Sequence, residues 1–144
     1  MERTDLEART AALAVAVFGL TNVVRERPGG RRPADQLLDC ATSVGANYRA
    51  SARARSRAEF IAKLGIANEE ADEVVYWLEF CRSTALGDQA TVATLLAEAK
   101  ELRAILAASC RTAKQNHRAL GANRKVIKSR DRSQDHEIDR KITR

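Results

Sequence analysis

Phe60, Leu64, Ala67, Ala71, Val74, Leu78 and Cys81 recur at alternating steps of four and three residues. A mean step of 3.5 holds such side chains on one side of a helix and sets it against its neighbours at a shallow crossing angle. Upstream, Cys40, Ala41, Ser43, Gly45 and Ala46 are all small, so a second helix can approach closely there. A long heptad helix beside a small-residue helix predicts an all-α helical bundle. Composition agrees. Aromatic residues are 4% of the 144, and no run alternates apolar and polar side chains with β-branched enrichment, so no strand is expected. One domain is the expectation at this length, burying roughly 70% of the extended surface.

Four helices follow from the punctuation. The first is expected from about Asp5 to Arg25, capped by Thr4 or Asp5, with Leu6, Leu13, Val17, Leu20 and Val24 as its stripe. Val15, Phe18 and Val23 widen its apolar arc, which suits contact with more than one partner, inside the bundle or on another subunit. Arg27-Pro28-Gly29-Gly30-Arg31-Arg32-Pro33 breaks it, and Pro33 fits the first turn of the next helix. The second helix, about 33–54, carries Gly45 mid-way. A glycine there costs about 1 kcal/mol against alanine, which suggests that a neighbouring backbone needs the space. Asn47 lies on the core line of this helix, fitting either a hydrogen bond within the core or a ligand contact, while Tyr48 can bury its ring and keep its hydroxyl wet. Ser56 and Glu59 have the spacing of a capping box for the third helix, about 57–84. Gly87 is expected to stop that helix and Asp88 to cap the fourth, with Val92, Leu95, Ala99, Leu102 and Leu106 inward. Gly121 marks the expected end, leaving 1–120 as the bundle and 121–144 as a basic tail, disordered or a frayed helical extension.

Several kinds of chemistry find no constellation. Cys40, Cys81 and Cys110 form no CxxC pair and read as small core residues in a reducing cytoplasm. His117 and His136 are the only histidines, and neither has a glutamate three residues before it as a di-iron bundle requires. Asp131-x-Ser133-x-Asp135 opens like a calcium loop, but His136 stands where glycine is required. No phosphate-cradling glycine loop or nucleophile elbow is present. The expectation is therefore a protein without catalytic residues, cofactor or metal. The apolar-leaning run Ala11 to Leu20 is about ten residues against the 20 a membrane span needs, so no membrane partner is expected. Acidic Glu2, Asp5 and Glu7 make it a poor signal peptide.

Charge is unevenly spread within the total of +6. Residues 25–57 hold eight basic and three acidic residues; residues 58–101 hold three basic and nine acidic. Residues 121–144 hold eight basic and four acidic. The acidic cluster of Glu69, Glu70, Asp72 and Glu73 on helix three asks for a counter-charge. It can meet the basic end of helix two on a neighbouring subunit, giving a head-to-tail ring. The basic regions can equally attract phosphate backbones, or the whole pattern can be a solvated mixed-charge surface.

Four runs stand out at the centre of the chain: Ala41 to Arg49 (ATSVGANYR), Ser56 to Ala67 (SRAEFIAKLGIA), Glu70-Ala71 and Tyr76-Trp77-Leu78-Glu79. In these residues the chain resembles the four-helix bundle proteins encoded in intervening sequences of large-subunit ribosomal RNA genes. Leu38-Asp39 stands where many relatives have basic residues, and Ala50 replaces a frequent glutamate. The resemblance implies an up-down-up-down, antiparallel four-helix bundle that assembles as a ring-like homo-oligomer, a homopentamer. It also brings in a relative, the accessory variability determinant of diversity-generating retroelements, a basic pentamer that binds nucleic acid and a reverse transcriptase.

These readings combine into one functional expectation: a bacterial, cytoplasmic, non-enzymatic homo-oligomer that binds RNA or DNA through its basic surface. Candidate phosphate contacts are Arg49, Arg53, Arg55, Arg57, Arg111, Lys114, Arg118, Arg124, Lys125 and Lys128. Candidate subunit contacts are Val15, Phe18, Glu69, Glu70, Glu73, Tyr76 and Trp77. The rival expectation is a protein-interaction scaffold or accessory subunit for a partner enzyme such as a reverse transcriptase.

Overall fold

The computed structural model describes residues 3–142, with side chains described for 5–125 and 127. The described residues form four helices and no strand: α1 (Arg3–Arg25), α2 (Arg31–Ser51), α3 (Arg57–Ser83) and α4 (Gln89–Ile142). They group into two compact units, Met1–Cys110 and Arg111–Arg144.

In the first unit the heptad ladder is the core face of α3 from Leu64 onward, while Phe60 at its start is only half-buried. Leu64, Ala67, Ala71, Val74, Leu78 and Cys81 are all buried, and Val75 joins them. α2 packs on both α1 and α3, and contributes Ala34, Leu37, Cys40, Ala41, Val44 and Tyr48. The α1 stripe of Leu6, Leu13, Val17, Leu20 and Val24 is buried as its spacing predicts. Two polar residues complete that stripe. Thr10 and Thr21 are fully buried, and each hydroxyl donates to a carbonyl three residues back, Glu7 and Phe18, at 3.0 Å. Such bonding inside one helix removes the cost of an unpartnered buried hydroxyl. From α4 come Val92, Leu95, Leu96, Ala99, Leu102, Leu106 and Cys110. Each fully enclosed leucine of this core, such as Leu37, Leu64 or Leu102, contributes about 1.5–3 kcal/mol of apolar burial.

The helix ends both confirm and correct the sequence expectations. Ser56 caps α3 as its spacing predicts: its hydroxyl accepts from the Glu59 N–H at 3.1 Å. Glu59 reaches one residue beyond the cap, accepting the Arg55 N–H at 2.8 Å, and these bonds hold its carboxyl below the ordinary carboxylate range. Asp88 caps α4, accepting from the Thr91 N–H and hydroxyl at 2.9 and 2.6 Å. Thr4 and Asp5, by contrast, lie inside the first turn of α1 and do not cap it. α3 ends at Ser83, and the left-handed residue that turns the chain out of it is Ala85, not Gly87. The Leu86 N–H bonds to the Cys81 carbonyl and the Ala85 N–H to that of Arg82, with Ala85 left-handed at φ 53°. This is the Schellman arrangement with alanine in the place glycine usually takes. Gly87 is needed for another reason: at φ 81° a Cβ would come within 2.8 Å of Leu20 and 3.0 Å of Val24.

Two further expectations change. α4 runs through Gly121 to Ile142, so the glycine does not end it; one interior glycine costs only about 1 kcal/mol. α1 is also longer in apolar character than its ten-residue run suggested. Asp5–Arg25 is long and apolar enough by length and composition to cross a membrane, a property shared by core helices of globular proteins and by signal sequences.

Candidate functional site

The arginines around the α2–α3 turn differ in how far they are already committed. Arg49 approaches Glu7 of α1 at 3.6 Å. Arg55 folds back on Glu59 at 3.3 Å as part of the α3 cap. Arg53 and Arg57 are exposed and have no ion pair among the described residues. In the second unit Arg111, Lys114, Arg118, Arg124 and Lys125 are exposed along α4, again with no ion pair among the described residues. The side chain of Lys128 lies outside the described residues, as does His136. The ten candidate cations therefore separate into two partly paired, seven open and one undescribed.

The acidic face of α3 finds part of its counter-charge within the chain. Asp72 accepts from Arg103 of α4 at 2.8 Å, and Glu79 pairs with Lys100 at 3.1 Å. Glu69 and Glu73 stay exposed without a partner among the described residues. Glu70 is half-buried against α2, where the Ser43 hydroxyl donates to it. Burial, then the neighbouring Glu73 charge, pushes its carboxyl above the ordinary range. Asn47 joins the same network, its amide nitrogen donating to the Ser43 carbonyl and hydroxyl, both at 3.0 Å. Asn47 thus orders Ser43 within its own helix. Among the described residues no cluster of His, Cys, Asp and Glu has the geometry to hold a metal ion.

The three thiols are buried. Cys40 donates to the Leu37 carbonyl at 3.3 Å and Cys110 to that of Leu64 at 3.4 Å. Burial, with Glu73 and Glu70 adding repulsion, pushes the Cys40 thiol up to about 12. It stays protonated at neutral pH and is a poor nucleophile. His117 is exposed on α4.

Two apolar surfaces remain outside the core. On α1, Val15 (73% exposed), Phe18 (54%) and Val23 (56%) stand on the side away from the buried stripe. On α3, Tyr76 (58% exposed) and Trp77 meet edge to face with ring centres 5.0 Å apart, and Trp77 meets Phe80 at 5.6 Å. Val15, Phe18, Tyr76 and Trp77 were singled out by the sequence. Phe80 was missed, although its place three residues after Trp77 puts both on one helix face.

The comparisons with known proteins fit this arrangement. The model of the 23S rRNA-intervening sequence protein family matches residues 4–108. A crystal structure from Bacteroides thetaiotaomicron, of a protein of unknown function from the S23 ribosomal protein family, superposes with a TM-score of 0.68 at 30% identity. That match covers 73% of this chain and 97% of the other. No curated protein matches. With the four helices, the buried heptad ladder and a family match across most of the chain, this protein belongs to the 23S rRNA-intervening sequence protein family.

Proposed function

We propose that this protein is a non-enzymatic, cytoplasmic, homo-oligomeric bundle that binds the RNA or DNA backbone through its basic surface. The observation that carries the reading is the set of open cations, Arg53 and Arg57 at the α2–α3 turn and Arg111 to Lys125 on α4, which no carboxylate of the described residues neutralises. Exposed cations release counterions when they meet phosphates, and this supplies sequence-independent affinity. The bundle is read as antiparallel, up-down-up-down. In support, Glu7 and Arg25 at opposite ends of α1 reach Arg49 and Asp35 at opposite ends of α2 in reversed order. Asp72 and Glu79 of α3 likewise reach Arg103 and Lys100 of α4 in reversed order.

The oligomer is read as a head-to-tail ring, five-membered by family resemblance. Two different apolar patches on one chain, on α1 and on α3, suit a contact in which one patch meets the other on the next copy. Glu69 and Glu73, left without partners in the described chain, would flank that contact. Binding is tested by filter titration of random-sequence RNA and DNA at two salt concentrations, with particle mass by light scattering in parallel. Steeply salt-dependent binding by a multimer is expected; a monomer indifferent to nucleic acid at low salt overturns the reading.

A second reading is favoured by the surface cluster of exposed Tyr76 and Phe80 around half-buried Trp77, since aromatic side chains are enriched where proteins meet. In it the bundle is a scaffold or accessory subunit for a partner enzyme such as a reverse transcriptase, without direct nucleic-acid contact. A pull-down that survives nuclease treatment separates the two.

A further inference from the structure

Between Glu101 and Asp131 the chain has 29 consecutive residues without a carboxylate. From Arg111 onward this stretch is helical, and every described side chain from Arg111 to Lys125 is exposed except the half-buried Ala113. At about 100° per residue, Arg111, Lys114, Arg118 and Lys125 fall within an arc of roughly 60°, and exposed Arg124 stands about 80° beyond its edge. They extend along roughly 21 Å of helix. Exposed Leu120 and Ile127 lie on the opposite side. The family match ends at residue 108, so this cationic stripe stands outside the region shared with the family.

We infer that the α4 segment from Arg111 is the principal nucleic-acid-binding element of this protein, and that it lies along a phosphate backbone without reading bases. This rests on the nucleic-acid reading above and assigns it to one element. Charge complementarity selects the ligand: a cationic stripe with no carboxylate in its own stretch of chain, and no ion pair among the described residues, matches a regular line of phosphates. The narrowness of the stripe selects the geometry. A helix seated in a groove meets phosphates on both flanks, whereas an arc of about 60° faces one strand. A membrane surface fits less well, because a helix lying in that interface needs a continuous apolar face. Here Asn116 and Asn123 interrupt the side that carries Leu120 and Ile127.

The test uses the full chain in three forms: unaltered, R111Q/K114Q/R118Q/K125Q, and R53Q/R57Q. Glutamine keeps helix propensity, and circular dichroism checks the helix content. Fluorescence anisotropy is measured with two unrelated 25-base-pair DNA duplexes, with duplex RNA, and with vesicles of phosphatidylglycerol and phosphatidylcholine. The expected result is that the quadruple variant lowers the log–log salt slope for DNA by roughly 3.6 and weakens binding about a hundredfold or more at low salt. R53Q/R57Q is expected to change it far less, and the two duplexes are expected to bind within about twofold of each other. If the quadruple variant binds as the unaltered chain does while R53Q/R57Q fails, this inference falls and the proposed function stands. If no form binds either nucleic acid, both fall. Binding to vesicles with none to nucleic acid, or a tenfold preference between the duplexes, also overturns the inference.

Discussion

Arg9 and Glu98 are joined by two parallel hydrogen bonds, Nε to Oε1 at 2.9 Å and Nη2 to Oε2 at 2.8 Å, across 89 positions of sequence. Glu101, one turn further along α4, adds a contact at 3.2 Å. The guanidinium fork thus ties α1 to α4 where both side chains are partly shielded. Two-pronged geometry distinguishes this pair from ordinary surface ion pairs, whose median contribution is about 0–1 kcal/mol. Replacing Arg9 by alanine is expected to lower stability by about 1 kcal/mol. Lysine should recover only part of that, since it cannot match both oxygens. Urea midpoints of the three proteins check this; equal midpoints for R9A and the unaltered chain would refute it.

The two ends of α3 should respond in opposite directions. Ser56→Ala removes the acceptor for the Glu59 N–H and is expected to cost about 1 kcal/mol. Ala85→Gly removes the steric cost of a left-handed alanine at φ 53°. After the extra unfolded-state freedom of glycine is subtracted, the gain is expected to be about 0.5–1 kcal/mol. Thermal melts of the two single variants decide it, and a loss at A85G would show that the turn is not limited by backbone strain.

Gly45 and Gly87 should also part company. An added Cβ at Gly45 would lie 3.6 Å from the Thr10 carbonyl oxygen, ordinary contact with the α1 backbone. The close approach expected from the sequence is present, yet a methyl group fits. Gly45→Ala should therefore stabilise by up to about 1 kcal/mol through helix propensity. Gly87→Ala drives a Cβ into Leu20 and Val24 and forces a left-handed alanine, so a loss of about 1–3 kcal/mol is expected. Denaturant titration of both variants is the check, and the same sign for both would count against the packing described.

Glu70 gives a pH dependence with a definite sign. Burial and Glu73 raise its folded pKa above the ordinary value of 4.5. A carboxyl raised in this way favours the fold below its unfolded pKa, and that contribution is lost as pH rises through the folded pKa. At neutral pH the ionised group therefore works against the fold. Glu70→Gln keeps an acceptor for Ser43 and removes the charge, so it should melt higher than the unaltered chain at pH 7. The difference should close as pH falls below 4.5, where the unaltered carboxyl is itself protonated. Melting curves at pH 7 and pH 4 measure this, and a gain that persists at pH 4 would assign the effect to something other than ionisation.

Periodicity made the core legible, because burial of one helix face is a local pattern: the ladder from Leu64 to Cys81 and the stripe from Leu6 to Val24 can be counted along the chain. Thr10 and Thr21 escaped the same count because their polarity hides a hydroxyl satisfied by its own helix. Ala85 escaped because a left-handed alanine has no sequence signal when a glycine stands two residues away. Gly121 misled for the complementary reason. Its cost is small, and helix-favouring Arg124 and Lys125 follow it. The candidate cations could be named from sequence, but their partners could not. Nothing local tells Arg49, which meets Glu7 of another helix, from Arg53, which is open. Arg9 and Glu98 are the extreme case, meeting only after the whole bundle is in place.

Phe18 offers the most direct test of whether the surface of α1 is a subunit contact. Its ring is 54% exposed and shares the outer side of the helix with Val15 and Val23, while the buried stripe runs along the other side. Phe18→Glu should leave the core intact, because the substitution points away from Val17 and Leu20. It places a charge in a patch whose burial against another copy would demand desolvation, which a carboxylate resists by several kcal/mol. Light scattering is therefore expected to show a smaller particle with unchanged helix content. Tyr76→Glu on the α3 patch should do the same if the two patches meet head to tail. Loss of assembly from one variant and not the other would replace the ring with a two-fold contact through a single patch. Unchanged mass in both would remove these surfaces from the interface altogether.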